Sequence, residues 1–134
     1  MRYLAVLFIL IFSGSALSSD RGHRHEMTPE MERQHETMHH LAGYWSEAKG
    51  HLSSGDLDSM TKAIDSMLKA AMNIPEFRLH RNADKHGEFQ REFNLFKNDL
   101  ERLRGAIISR DIERVRKLSE SVDEACTRCH NKFR

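Results

Sequence analysis

FQREFNLFKNDLERLRGAI, residues 89–107, decides the fold. Phe89, Phe93, Phe96, Leu100, Leu103 and Ile107 recur at steps of three and four, with mostly charged and amide side chains between them. That spacing places all six on one face of an α-helix. A helix with a single apolar face is not stable alone, because the face must be buried against others of the same kind. The rest of the chain is therefore read for partners.

Toward the C-terminus, Ser109-Arg110-Asp111 makes a short turn. A fourth helix follows, carrying Ile112, Val115, Leu118, Val122 and Ala125 and running on into two cysteines. Toward the N-terminus, Pro75 to Gly87 reads as a longer connection, polar and cationic through Arg78, His80, Arg81, Lys85 and His86. A second helix precedes it, capped by Asp56, with the stripe Leu57, Met60, Ile64, Met67 and Ala71, and stopped at Asn73-Ile74-Pro75 because proline lacks the helical donor. The first helix starts at Thr28 as N-cap, with Pro29 at its first position and Glu30 behind it. Its stripe is Met31, Met38, Leu41, Trp45, Ala48 and Leu52, and Ser53-Ser54-Gly55 ends it. Four stripes and short connections predict an all-α fold, an antiparallel four-helix bundle over residues 28–134. The methionines, the phenylalanines and Trp45 are core filling by default.

The chain has 134 residues, which suits one domain. Its start reads as a cleaved signal peptide over residues 1–18: Arg2 supplies a positive charge, Leu4 to Phe12 is apolar but too short to span a membrane, and Ala16-Leu17-Ser18 fits the small-x-small cleavage pattern. No cysteine follows the apolar run, so no lipid anchor or other stable membrane anchor is expected. Residues 19–27 read as a loose, His-rich tail. Setting Arg2 aside leaves 20 basic against 20 acidic residues, with the signs interspersed. That balance argues against a nucleic-acid partner, which needs a basic patch. No nucleophile, base and acid stand together as a catalytic set, so the chain is not read as an enzyme.

The two cysteines fall in Cys126-Thr127-Arg128-Cys129-His130. A disulfide here would close a very small loop and restrain little of the unfolded chain. A thioredoxin-type redox pair needs a strand-helix setting, and a structural zinc site needs a second pair of ligands; the sequence offers neither. The CxxCH pattern is instead that of c-type haem attachment. Residues three apart lie on one side of a helix, so both thiols reach one porphyrin edge, and the adjacent histidine turns its imidazole toward the iron. This gives one covalent haem c per chain.

The ending Cys126-Thr127-Arg128-Cys129-His130-Asn131-Lys132-Phe133-Arg134 resembles the CxxCHxx(Tyr/Phe)Arg ending of class II c-type cytochromes, which carry the motif at the end of the fourth helix. The resemblance covers the helix order and the motif position over the expected mature chain. It implies a left-handed bundle with one haem between the helices, and a periplasmic location. It makes Cys126 and Cys129 the thioether cysteines, His130 the proximal iron ligand and Arg134 a residue near the haem. The connection Pro75 to Gly87 departs from the family pattern, so nothing is carried over there.

The sixth coordination position decides what such a protein does. In the low-spin members a methionine of the first helix fills it; in the cytochrome c-prime type it is open to nitric oxide or carbon monoxide. Counting from Asp111 to Cys126, and the same distance back from Ser53, reaches Met38, the favoured sixth ligand. His35 and Met31 are the alternatives, while His39 and His40 face away from the stripe. Family members often carry arginine four residues before the ligand; here that residue is Gln34, beside Arg33. The expected function is electron transfer with redox partner proteins, by cycling between ferrous and ferric iron. Binding of NO or CO at an open iron is the second reading. Binding of copper or zinc by His23, His25, Met27, Met31, His35, Met38, His39 and His40 is the third. The first two helices are the candidate surface for a homodimer.

Overall fold

The computed structural model describes residues 27–79 and 81–134. The expected signal peptide, most of the tail with His23 and His25, and His80 lie outside the described residues. Within them the fold is all-α, with four helices and no strand: α1 (Pro29–Ser54), α2 (Leu57–Ala70), α3 (His86–Ile108) and α4 (Ile112–Phe133). No described helix is long and apolar enough to cross a membrane.

The helix starts follow local chemistry. Thr28 Oγ1 accepts the Met31 amide at 3.2 Å, with Pro29 in the first turn. Asp56 and Asp111 cap α2 and α4 in the same way, accepting from Ser59 at 3.0 Å and Arg114 at 3.1 Å. Such caps satisfy amides that the first turn leaves unpaired. The turns are built alike. Gly55 is left-handed at φ 77°, and the amides of Gly55 and Asp56 close onto Leu52 and His51. Arg110 takes the same left-handed conformation at φ 56°, and the amides of Arg110 and Asp111 close onto Ile107 and Ala106. These closures use the last carbonyls of each helix.

The connection from α2 to α3 differs from the sequence expectation at both ends. The α-helical part of α2 stops at Ala70, and the chain tightens into a 3-10 segment, Ala71–Glu76, that contains Pro75. α3 already begins at His86 and includes Gly87, after a short 3-10 turn at Ala83–Lys85. Without an N–H, Pro75 cannot extend the α-helical bonding, and the chain leaves the helix through this short 3-10 segment instead.

One core joins all four helices. Leu41, Trp45 and Ala48 meet Met60, Ile64 and Met67, the α3 stripe, and Val115, Leu118, Val122 and Ala125. Leu100, Leu103, Met60, Ile64, Val115 and Val122 have no exposed surface left. Burying a side chain of this size contributes about 1.5–3 kcal/mol. Four stripe members depart: Ile112, at the start of α4, is 40 % exposed, and Met31, Met38 and Leu52 are only half-buried, the last two packed against the core. Ala63, Ile74, Ala106 and Phe133 join the core in addition. Close backbone packing links α1 with α2, α2 with α3, and α3 with α4. The contact of α1 with α4 is made through side chains, described below.

Candidate functional site

The last three turns of α4 carry the motif. Core residues Val122, Ala125 and Phe133 fix which side of this helix faces inward. Cys126 and Cys129, three apart, fall at the border of that side, half-buried and packed against the core. Both thiols are free. Burial, then the neighbouring Asp123 carboxylate, pushes the Cys126 thiol up to about 11. Burial, then Glu92, raises that of Cys129. Both shifts favour the neutral thiol over the thiolate near pH 7.

The two flanks of α4 are held differently. On the α3 side, Lys132 Nζ bonds Glu88 at 2.9 Å and Glu92 at 2.7 Å, and Arg128 reaches Glu92 at 3.4 Å. Phe133 meets Phe89 edge to face at 5.4 Å. On the α1 side, Asp123 is the contact. Its Oδ1 accepts the indole N–H of Trp45 at 2.6 Å and the Lys49 ammonium at 3.1 Å. The same ammonium stands 5.5 Å from the Trp45 ring centre. His130 follows Asp123 by two helical turns, so its side chain leaves α4 from that same flank. His130 is exposed, and its pKa is lowered by partial burial and then by the positive charge of Arg134.

The α2–α3 connection crosses this end of the molecule. Gln34, buried on α1, faces the backbone of Arg78. With its amide oriented by hydrogen bonding, it donates to the Arg78 carbonyl at 3.1 Å and accepts the Arg78 amide at 2.7 Å. Arg78 also pairs with Glu30 at 3.7 Å. Arg81 then donates to the carbonyl of Arg134, and Asn82 to that of Lys132, each at 2.7 Å. Asn82 is left-handed at φ 56°. The connection therefore straps the first turns of α1 to the last turn of α4.

The α1 candidates separate by exposure. Met38 is half-buried against the core, on the face that carries Leu41 and Trp45. Met31 is half-buried nearer the helix start, and His35 is exposed. His39 and His40 are exposed as expected; the His40 ring stacks on Tyr44 at 6.2 Å and reaches Glu36 at 3.7 Å. Among the described residues no three His, Cys, Asp or Glu side chains converge as a metal site would require. A shallow groove of about 280 Å³ runs between Lys49–Ser53 and Arg116–Asp123, on the turn side of Asp123 and away from the motif.

Sequence reasoning missed the fastening roles of Gln34, Asp123 and Asn82. Gln34 drew notice only as standing where family members often carry arginine, and nothing in the sequence marks Asp123; their partners, Arg78 and Trp45, lie far off in sequence. Set against family profiles, curated proteins and solved structures, the chain matches none.

Proposed function

We propose that this protein is an exported, periplasmic c-type cytochrome with one haem, carrying electrons between redox proteins. In this reading the four helices form an antiparallel bundle and the haem is held at the C-terminal end of α4. The observation that carries it is the donor set: two free, neutral thiols one turn apart, with an imidazole next to the second. Each thiol would add across a vinyl group, its sulfur bonding one carbon and its proton going to the other, with no oxidant needed. When bound, the haem supplies one-electron chemistry. His130 would hold the iron from the flank of α4 that faces α1.

The register supports Met38 as the second protein ligand. Trp45 and Asp123 are bonded to each other. Two turns from Trp45 toward the start of α1 lies Met38; two turns from Asp123 toward the end of α4 lies His130. One turn further along each helix come Gln34 and Arg134, both tied to the strap. Helices running in opposite directions keep these pairs level. Met38 also points from the same side of α1 as Trp45. A thioether ligand favours the ferrous state and raises the potential, as a carrier between periplasmic proteins requires.

The test is the optical spectrum of the purified protein. Sharp low-spin bands in the ferrous form, with the weak far-red band of methionine-ligated ferric iron, are expected. A high-spin spectrum in both states would remove the sixth ligand and favour binding of NO or CO. No haem spectrum at all would contradict the proposal.

A further inference from the structure

We infer that Trp45 and Asp123, with Lys49, are positioning residues for the sixth iron ligand: their hydrogen bonds set the distance between α1 and α4 at the Met38–His130 level. The inference rests on the haem reading above.

Three observations carry it. First, α1 and α4 lack the close backbone packing that joins the other neighbouring helices, so side chains set their separation. Second, the fastening is short and shared. One carboxylate oxygen takes the Trp45 indole N–H at 2.6 Å and the Lys49 ammonium at 3.1 Å. Hydrogen bonds to an ionised acceptor are about twice as strong as neutral ones. Trp45 is 6 % exposed, so its ring cannot swing away without leaving the core. Third, the fastening and the strap bracket the Met38–His130 level. Asp123 lies seven residues before His130, about 10 Å along the helix at 1.5 Å per residue. The strap holds Gln34 and Arg134, one turn to the other side. An iron bound from both helices tolerates little change in their separation, so a loosened seam would release the weaker ligand, the thioether.

The role differs from general stability because a substitution that keeps the acceptor should keep part of the ligation. Asp123→Asn retains an oxygen for the indole N–H; Asp123→Ala does not. Asp58→Ala removes a more exposed carboxylate, paired with Arg110 at the turns and away from the motif, and serves as the control. The experiment follows carbon monoxide binding to the ferrous, haem-loaded protein, with the ferric spectrum and helical circular dichroism as companions. Asp123→Ala and Trp45→Phe should bind CO faster by about tenfold or more, the worth of a hydrogen bond to a charged group. They should also show partial loss of the methionine-ligated ferric band at unchanged helicity. Asp123→Asn, which keeps a neutral acceptor for the indole but loses the ion pair with Lys49, should fall between Asp123→Ala and wild type, and Asp58→Ala should stay within about twofold of wild type. Should Trp45→Phe fold poorly, Asp123→Ala decides, since that side chain is half exposed and its removal leaves the core intact. Wild-type CO rates in Asp123→Ala would overturn the inference with the haem reading intact. So would a wild type that is already five-coordinate. A wild type without covalent haem would overturn the functional reading itself and the inference with it.

Discussion

The two flanks of α4 differ in how they are held. Toward α3 the helix is sealed by an apolar seam, an edge-to-face Phe89–Phe133 contact and the Glu88–Lys132–Glu92–Arg128 ion pairs. Toward α1 it is tied by Asp123 and by the strap from Gln34 to Arg134. A seam closed by packing leaves no room for a ligand; a seam spanned by a few polar fastenings can. His130 leaves α4 on the second flank, and Cys126 feels Lys49 and Asp123 there while Cys129 feels Glu92 on the first. The motif thus straddles the boundary between the packed flank of α4 and the flank tied by polar contacts.

The contrast can be broken from either side. The largest effect belongs to the packed half. Leu103→Ala on α3 removes a side chain with no exposed surface, and should cost about 2–5 kcal/mol in denaturant unfolding, cavity included. A loss below about 0.5 kcal/mol, the size of an ordinary surface change, would mean that the core is not packed as described. Next is Met38→Ala on the side tied by polar contacts. It should turn the ferric spectrum from low-spin toward high-spin and lower the potential, because the thioether no longer favours ferrous iron. Met31→Ala should leave the spectrum unchanged. Should Met38→Ala change nothing while His35→Ala gives high-spin iron, the register is off by one turn.

The smallest effect sharpens the ion-paired seam. Hydrogen bonding from Lys132 is the main reason that the Glu92 carboxyl sits below its ordinary value of 4.5; Arg128 adds to it. A lowered carboxylate pKa contributes stability that is complete above the unfolded value and fades as pH falls through the folded one. Glu92→Gln should therefore cost about 1 kcal/mol or less near neutrality. The gap to wild type should close on acidification below the ordinary glutamate range. A gap that persists in acid would assign the effect to shape, not charge.

Much of the fold was legible because its signals are local. Thr28-Pro29, Asp56 and Asp111 announce helix starts through their own side chains, and the α3 stripe needs no partner to be recognised. The boundaries of the α2–α3 connection were not legible: Pro75 fits a 3-10 turn as well as a helix stop, and His86-Gly87 carries no N-cap. At the site, the CxxCH spacing marks Cys126, Cys129 and His130 without any structure. Gln34 and Asp123 could not be found that way, since each is defined by a partner more than forty positions distant, Arg78 in one case and Trp45 in the other. Polar residues that fasten helices look like solvated surface until the helices are brought together.

The central claim is that Cys126 and Cys129 hold haem covalently. Its most direct measurement is the intact mass of the mature protein, produced from the full chain in a host that exports it and ligates haem to CxxCH motifs. The account predicts a chain heavier by one haem, with the addition surviving acid-acetone extraction and absent from the Cys126→Ala, Cys129→Ala double variant. A folded wild-type chain at its bare polypeptide mass, or one that gives up all its haem to acid-acetone, would contradict it.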